Sequence, residues 1–264
     1  MATEANKAPI KLIGIHGKIQ HGKDYAANIL FDYFLTETSH TSLESVADPP
    51  RPCPAIEYTV KGVRIDKFGN YVKHFISRLL NINYEDMMTQ LSKNKVYEYI
   101  APNYTNAINY LLDEMKMSKI CYVSVSKAIT KFNNYFLTKE RLSLGEILQY
   151  IGTDCMRYIV SDTIWIDCLM NNWVMMGKPL TIIPDCRFHN EILAIKNNSG
   201  IYFKVERLDT VNISTTRNQN HPSETSLDNF HMDVIHNTMD DNFKTRIISY
   251  VENHIPLCYQ SISK

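Results

Sequence analysis

The stretch Leu12-Ile13-Gly14-Ile15-His16-Gly17-Lys18-Ile19-Gln20-His21-Gly22-Lys23-Asp24 decides how the rest of the chain is read. Lys11 to Ile15 is a short apolar run that suits a buried strand. Asp24 to Phe34 then places Ala26, Ala27, Ile29, Leu30 and Phe34 at helical spacing. Between them lies G-x-x-x-x-G-K, from Gly17 to Lys23, in strand-to-helix context. Glycines let backbone N–H groups curl around phosphate oxygens, and the helix start adds the positive end of its dipole. Lys23 supplies a point charge for the β and γ phosphates. Gly17, Lys18, His21, Gly22, Lys23, Asp24 and Tyr25 are therefore expected to bind ATP rather than to form a tight turn without a ligand. Asp24 stands where a serine or threonine hydroxyl usually ligates magnesium. It either holds the metal's water shell or is a helix-start acid favoured by the dipole.

The 28 basic and 28 acidic side chains in 264 residues give a net charge of 28 − 28 = 0, which excludes binding of a nucleic acid polymer by bulk electrostatics. Length over about 150 residues per domain leaves room for one large or two small domains. The hydrophobic fraction of 44% describes a globule that needs no disulfide or metal staple. Cys53, Cys121, Cys155, Cys168, Cys186 and Cys258 form no C-x-x-C pair, and reduced thiols in a cytoplasmic protein are expected. No 18-residue apolar run is present to span a bilayer, so no membrane partner is expected.

Thr36 to Pro54 reads as an inserted loop, because Pro49, Pro50, Pro52 and Pro54 are too dense for a helix or a sheet interior. Ile56 to Phe68 suits a hairpin around Gly62, and Asn70 to Leu80 carries a helical apolar stripe. Tyr84 to Phe136 reads as helical in pieces. Ser143-Leu144-Gly145-Glu146 has the form of a capping box before a helix running toward Ile159. A second helix is expected from Thr163 to Met176, with Gly177 just past its end. Leu180 to Asp185 reads as a buried strand, Glu191 to Asn198 as a helix, and Ile201 to Val205 as the next strand. That order makes a βαβ unit and a parallel sheet. Polar residues Asp209 to Asn229 follow, then two amphipathic stretches. His231-x-Asp233-x-x-His236 lacks an apparent fourth ligand and is read as a polar face.

These motifs occur together, and in this order, in a known family. G-K-x-x-x-G-K-D from Gly17 resembles the deoxynucleoside monophosphate kinases of phages and large DNA viruses. The likeness continues through Phe68-Gly69-Asn70-Tyr71-Val72-Lys73, Leu148-Gln149-Tyr150-Ile151-Gly152-Thr153-Asp154-Cys155-Met156-Arg157, Trp165, Pro184-Asp185-Cys186-Arg187-Phe188-His189-Asn190-Glu191 and His221-x-Ser223-Glu224. It spans residues 11 to about 230. Gly69-Asn70 replaces the family's Ala-Asp, and Tyr25 stands where threonine is usual.

The resemblance implies an α/β, P-loop kinase-like three-layer fold with a parallel central sheet, one domain over 1–264, and helical substrate and lid insertions near 36–56 and 84–140. It implies transfer of the ATP γ-phosphoryl to a dNMP with Mg2+, in the host cytoplasm if viral, by a possible homodimer. Lys23, Asp24, Asp185 and Arg187 become the catalytic set. Arg187, past a strand end, suits a bidentate grip on the acceptor phosphate, or else a surface salt bridge. Asp185 and Asp24 would hold magnesium through water; Asp185 is otherwise a loop-capping acid. By resemblance Lys73, Gln149, Gly152, Thr153 and Arg157 belong to the substrate side. Gln149 suits a base edge or is a solvated helix residue. Trp165 stacks on the nucleobase or is core. Glu191 steers Arg187 or merely starts a helix. Arg141, with Lys139, is a lid charge or solvated surface. A phosphomevalonate-kinase-like enzyme and a nucleotide-binding protein without turnover are the rival readings.

Overall fold

The computed structural model describes residues 10–38, 58–60, 62–89, 91–207, 218–240 and 242–254. The strands are β1 (Leu12–His16), β2 (Tyr58–Val60), β3 (Val63–Ile65), β4 (Val96–Glu98), β5 (Arg141–Ser143), β6 (Leu180–Ile183), β7 (Ile201–Arg207) and β8 (Val234–Asn237). The helices are α1 (Lys23–Thr38), α2 (Phe68–Leu80), α3 (Tyr104–Asn109), α4 (Tyr122–Lys139), α5 (Leu144–Gln149), α6 (Ile164–Met175), α7 (His189–Asn197), α8 (Pro222–Thr225) and α9 (Asn242–His254). Among the described residues these elements form two compact units. One takes the chain up to Asp66, from Met176 to Arg207 and from Asn229 onward; the other takes Lys67 to Met175 with 218–228.

The first unit is built on one sheet in the order β2-β3-β6-β1-β7-β8. β3, β6, β1, β7 and β8 run parallel, and β2 is an antiparallel edge formed by the expected hairpin at Gly62. Every residue of β1 is buried, as a strand covered on both faces must be. Ile13, Ile15, Ile182, Phe203 and Val205 face Ala26 and Leu30 of α1 and Phe243, Ile247 and Val251 of α9. Each fully buried Val, Leu, Ile or Phe among them contributes roughly 1.5–3 kcal/mol. On the opposite face Gly14 lies against α7, where an added Cβ would meet Ile195 Cδ1 at 2.6 Å. This is a three-layer α/β arrangement, as expected.

β6 and β7 both pair with β1, so the β6–α7–β7 crossover passes over it. The consequence is positional. The loop leaving β1 and the turn leaving β6 emerge at the same carboxyl edge, where open parallel sheets bind ligands.

Boundaries shift in places. α1 runs on to Thr38, so residues 36–38 are helix and not loop; the proline-rich remainder of that insertion lies outside the described residues. The same holds for 208–217 of the polar segment.

The second unit gathers α2 to α6 with a small β4–β5 ladder, in which Tyr97 pairs with Leu142. The ladder is too short to show a two-residue period in sequence. The capping box forms as read: Glu146 N donates to Ser143 Oγ (3.3 Å) and Ser143 N to Glu146 Oε2 (2.8 Å). α5 then widens into a π-helical segment, Tyr150–Val160.

Candidate active site

The loop after β1 is shaped by its glycines. Gly22 has φ +95°, and a Cβ there would strike the side-chain amide of Asn237; one at Gly17 would strike the Val205 carbonyl. Only glycine lets the backbone pass this close. His21 N donates to Lys18 O (3.3 Å), and Ala26 N to Gly22 O (2.8 Å) starts α1. Lys23 Nζ donates to the Lys18 carbonyl at 2.6 Å, so the ammonium sits over its own loop. Asp24 and Tyr25 are exposed in the first turn of α1, and Tyr25 stacks on Phe243 at 6.1 Å. Asp24 thus stands in the first turn of α1, where the helix dipole favours an acid.

His21 turns toward the sheet rather than outward. Its Nδ1 accepts from Arg207 N (3.2 Å), and its carbonyl accepts from Asn237 Nδ2 (3.0 Å). Burial and then the Lys23 charge lower its pKa, so the ring is neutral at pH 7, as an accepting nitrogen requires. His21 and Asn237 fasten the loop to β7 and β8. Asn237 had no sequence signal.

The turn after β6 is tied to the same strand end. Cys186 N donates to Ile15 O (3.3 Å), and His16 Nδ1 donates to Cys186 O at 2.9 Å. Burial raises the Cys186 thiol well above its ordinary range, so it is an inert packing group. Burial also lowers His16 to about 4; the bond to Cys186 opposes this, and the charges of Lys23, Lys204 and Arg187 add to it. Lys23 and Arg187 therefore act on one neutral ring. Glu191 is 3% exposed, and its Oε2 accepts from Arg187 N (2.6 Å) and Phe188 N (3.0 Å). It fixes Arg187 through the main chain, which joins the two readings of Glu191 in one contact: it caps α7 and so holds the arginine's backbone.

The second unit holds the other residues. Gln149 is buried, and both ends of its amide bond to one backbone: Nε2 donates to Asn218 O and Asn218 N donates to Oε1, each at 3.1 Å. It is not a solvated helix residue. Trp165 is 2% exposed, donates Nε1–H to Gly152 O at 2.8 Å and meets Phe75 edge-on at 5.8 Å. Of its two readings the geometry favours core. Gly152 packs against Val72, whose Cγ1 would lie 3.2 Å from an added Cβ. Thr153 and Arg157 are buried polar residues of the π-helical segment. His221 Nε2 meets Asp154 Oδ2 at 3.1 Å, which fastens 218–228 to that segment. Lys73 Nζ lies 3.6 Å from Met88 Sδ. Arg141 pairs with Glu98 at 2.9 Å on an exposed ladder, an arrangement that fits its solvated-surface reading.

Magnesium binds through one or two carboxylates plus substrate phosphates and retained waters, with oxygen donors only. Asp24 and Asp185, at the edge that carries the loop, fit that donor set. Among the described residues no group of three or more His, Cys, Asp or Glu gathers, so a site made wholly of protein ligands is not offered there. No described helix is long and apolar enough to cross a membrane.

A parallel sheet whose first strand runs through G-x-x-x-x-G-K into a helix has the architecture of a P-loop kinase-like fold. The family model for deoxynucleotide monophosphate kinases matches residues 11–246, and the chain belongs to that family. It is similar to the deoxynucleoside-5'-monophosphate kinase of Escherichia phage T5, at 21% identity over 218 residues, covering 82% of this chain and 84% of the phage protein. The chain is a kinase, as the resemblance implied.

Proposed function

We propose that the chain transfers the γ-phosphoryl of ATP to a deoxynucleoside monophosphate to give the diphosphate, with Mg2+ bound to the nucleotide. The observation that carries this reading is the shared sheet edge: the Lys23 loop and the Arg187 turn both hang from the end of β1. Phosphoryl transfer asks the protein mainly for position and positive charge. Loop N–H groups and Lys23 hold the ATP phosphates once Lys23 leaves the Lys18 carbonyl. Arg187, its backbone set by Glu191, grips the acceptor phosphate with a planar fork that fits two oxygens. Asp24 and Asp185 orient the hydrated magnesium, which when bound neutralises charge on the phosphates.

On the acceptor side, Lys73, Gln149, Gly152, Thr153 and Arg157 contribute to dNMP recognition. Trp165 contributes by holding the Gly152 carbonyl. Both units act as one kinase domain, and a homodimer is the working assembly, which sedimentation reads directly. A panel of dNMPs, NMPs and mevalonate phosphate, each with ATP and Mg2+, tests the reading. Turnover of one or more dNMPs over NMPs is expected. Preference for mevalonate phosphate, or nucleotide binding with no turnover, would overturn it.

A further inference from the structure

His16 has one ring nitrogen spoken for and one that is not. It is 5% exposed, and its Nδ1 lies 2.9 Å from the Cys186 carbonyl oxygen. A carbonyl only accepts, so the proton of the neutral ring is on Nδ1 and Nε2 carries a bare lone pair. Nε2 is buried, and no described residue reaches it with a hydrogen bond. Buried polar atoms in folded proteins are almost always paired, so an orphan calls for a partner that arrives with a ligand. His16 directly precedes Gly17 of the phosphate loop, and its Cα pairs in register with that of Lys204 across β1 and β7. Lys23, Lys204 and Arg187 are the charges that act on it, a cationic setting that suits bound phosphate.

A phosphate oxygen and a bare ring nitrogen are both acceptors and do not bond directly. Nε2 leaves no room for a water as the loop stands, so the loop must shift on nucleotide binding to admit one, which then donates one hydrogen to each acceptor. We infer that His16 is a positioning residue of the transfer site: Nδ1–H locks the Asp185–Arg187 turn, and Nε2 holds a phosphate oxygen of the bound nucleotide through a bridging water. The inference rests on the kinase reading above.

Two substitutions separate the nitrogens. His16→Asn keeps a donor near Nδ1 for the Cys186 carbonyl and deletes the lone pair at Nε2. His16→Gln keeps an acceptor near Nε2 and loses the donor. Loss of one such hydrogen bond corresponds to about a tenfold fall in kcat. For His16→Asn that fall is expected with an unchanged unfolding temperature, and His16→Gln should retain more of the rate at a lower unfolding temperature. A His16→Asn enzyme with wild-type kcat overturns the inference.

Should His16→Asn fail to fold, imidazole 15N NMR of the wild-type protein decides. The expected result is a protonated Nδ1 and a bare Nε2 whose resonance moves toward the hydrogen-bonded range on adding Mg2+ and a non-hydrolysable ATP analogue. A bare Nδ1, or an Nε2 indifferent to the analogue, overturns it. Absence of any dNMP turnover by the wild type would instead sink the kinase reading, and the NMR result would still report on His16.

Discussion

Glu191→Ala removes the carboxylate that organises the Arg187 turn. The lost contacts include two amide bonds to one charged oxygen, at 2.6 and 3.0 Å, from a side chain only 3% exposed. Hydrogen bonds to charged groups contribute about 1.5–3 kcal/mol each. The half-buried Arg187 and Phe188 amides regain water in part, and desolvation of the carboxylate is relieved. A net loss of about 2–4 kcal/mol remains. In a chain of this size each kcal/mol moves the unfolding temperature by roughly 2–4 °C, so a fall of roughly 5–15 °C is expected by calorimetry. KM for the dNMP should rise at temperatures where the variant is folded, with KM for ATP little changed. Glu191→Gln keeps a carbonyl oxygen for the same two amides and should lose only about 1 kcal/mol. An alanine variant that melts with the wild type and keeps its dNMP KM would refute the claim that Glu191 holds Arg187 in place.

Four other outcomes are expected. Lys23→Ala should lower kcat by about two orders of magnitude or more with the fold intact, read by steady-state kinetics beside circular dichroism. Asp24→Asn should raise the magnesium concentration needed for half-maximal rate; an unchanged magnesium curve would leave Asp24 a helix-start acid of no more than about 1 kcal/mol. His16 has its pKa lowered from 6.5 to about 4, so below pH 6.5 the unfolded chain takes up a proton that the native ring refuses. Stability should therefore fall by about 3 kcal/mol as pH drops from 6.5 to about 4, and urea titrations of His16→Asn should lack that component of the slope. Trp165→Phe should destabilise by about 1–3 kcal/mol through the stranded Gly152 carbonyl while leaving dNMP KM within a few-fold, whereas a stacking role would move KM much further.

The sheet and its phosphate loop were legible because their signals are local. An apolar run, two glycines at fixed spacing and a helical stripe lie within a few dozen residues of one another. The same applies to the Ser143 capping box, the Gly62 hairpin and the strand–helix–strand that carries Arg187. What sequence hid was partnership across long separations. His21 meets Arg207 and Asn237, and Gln149 meets Asn218, 69 residues on. Polar residues such as Gln149 read as solvated because nothing in a helical pattern reveals a distant backbone that will cover them. Trp165 reads equally well as core or platform until its indole N–H finds a carbonyl. His16 closes an apolar strand just before Gly17, and a polar residue in that position was the available signal for it.

The widened helix from Tyr150 to Val160 changes how the chain tolerates insertion and deletion. In an α-helix each residue turns the axis by about 100°, so a segment that takes up extra residues per turn stores rotational phase. Deleting one residue there would let the helix tighten toward α geometry and rotate everything beyond the deletion relative to Gln149. Arg157 would then leave its buried position and point along another azimuth, with no change in side-chain chemistry anywhere. Length along this segment therefore behaves as an angular coordinate, and distant relatives compared across it by α-helical spacing will be read out of phase.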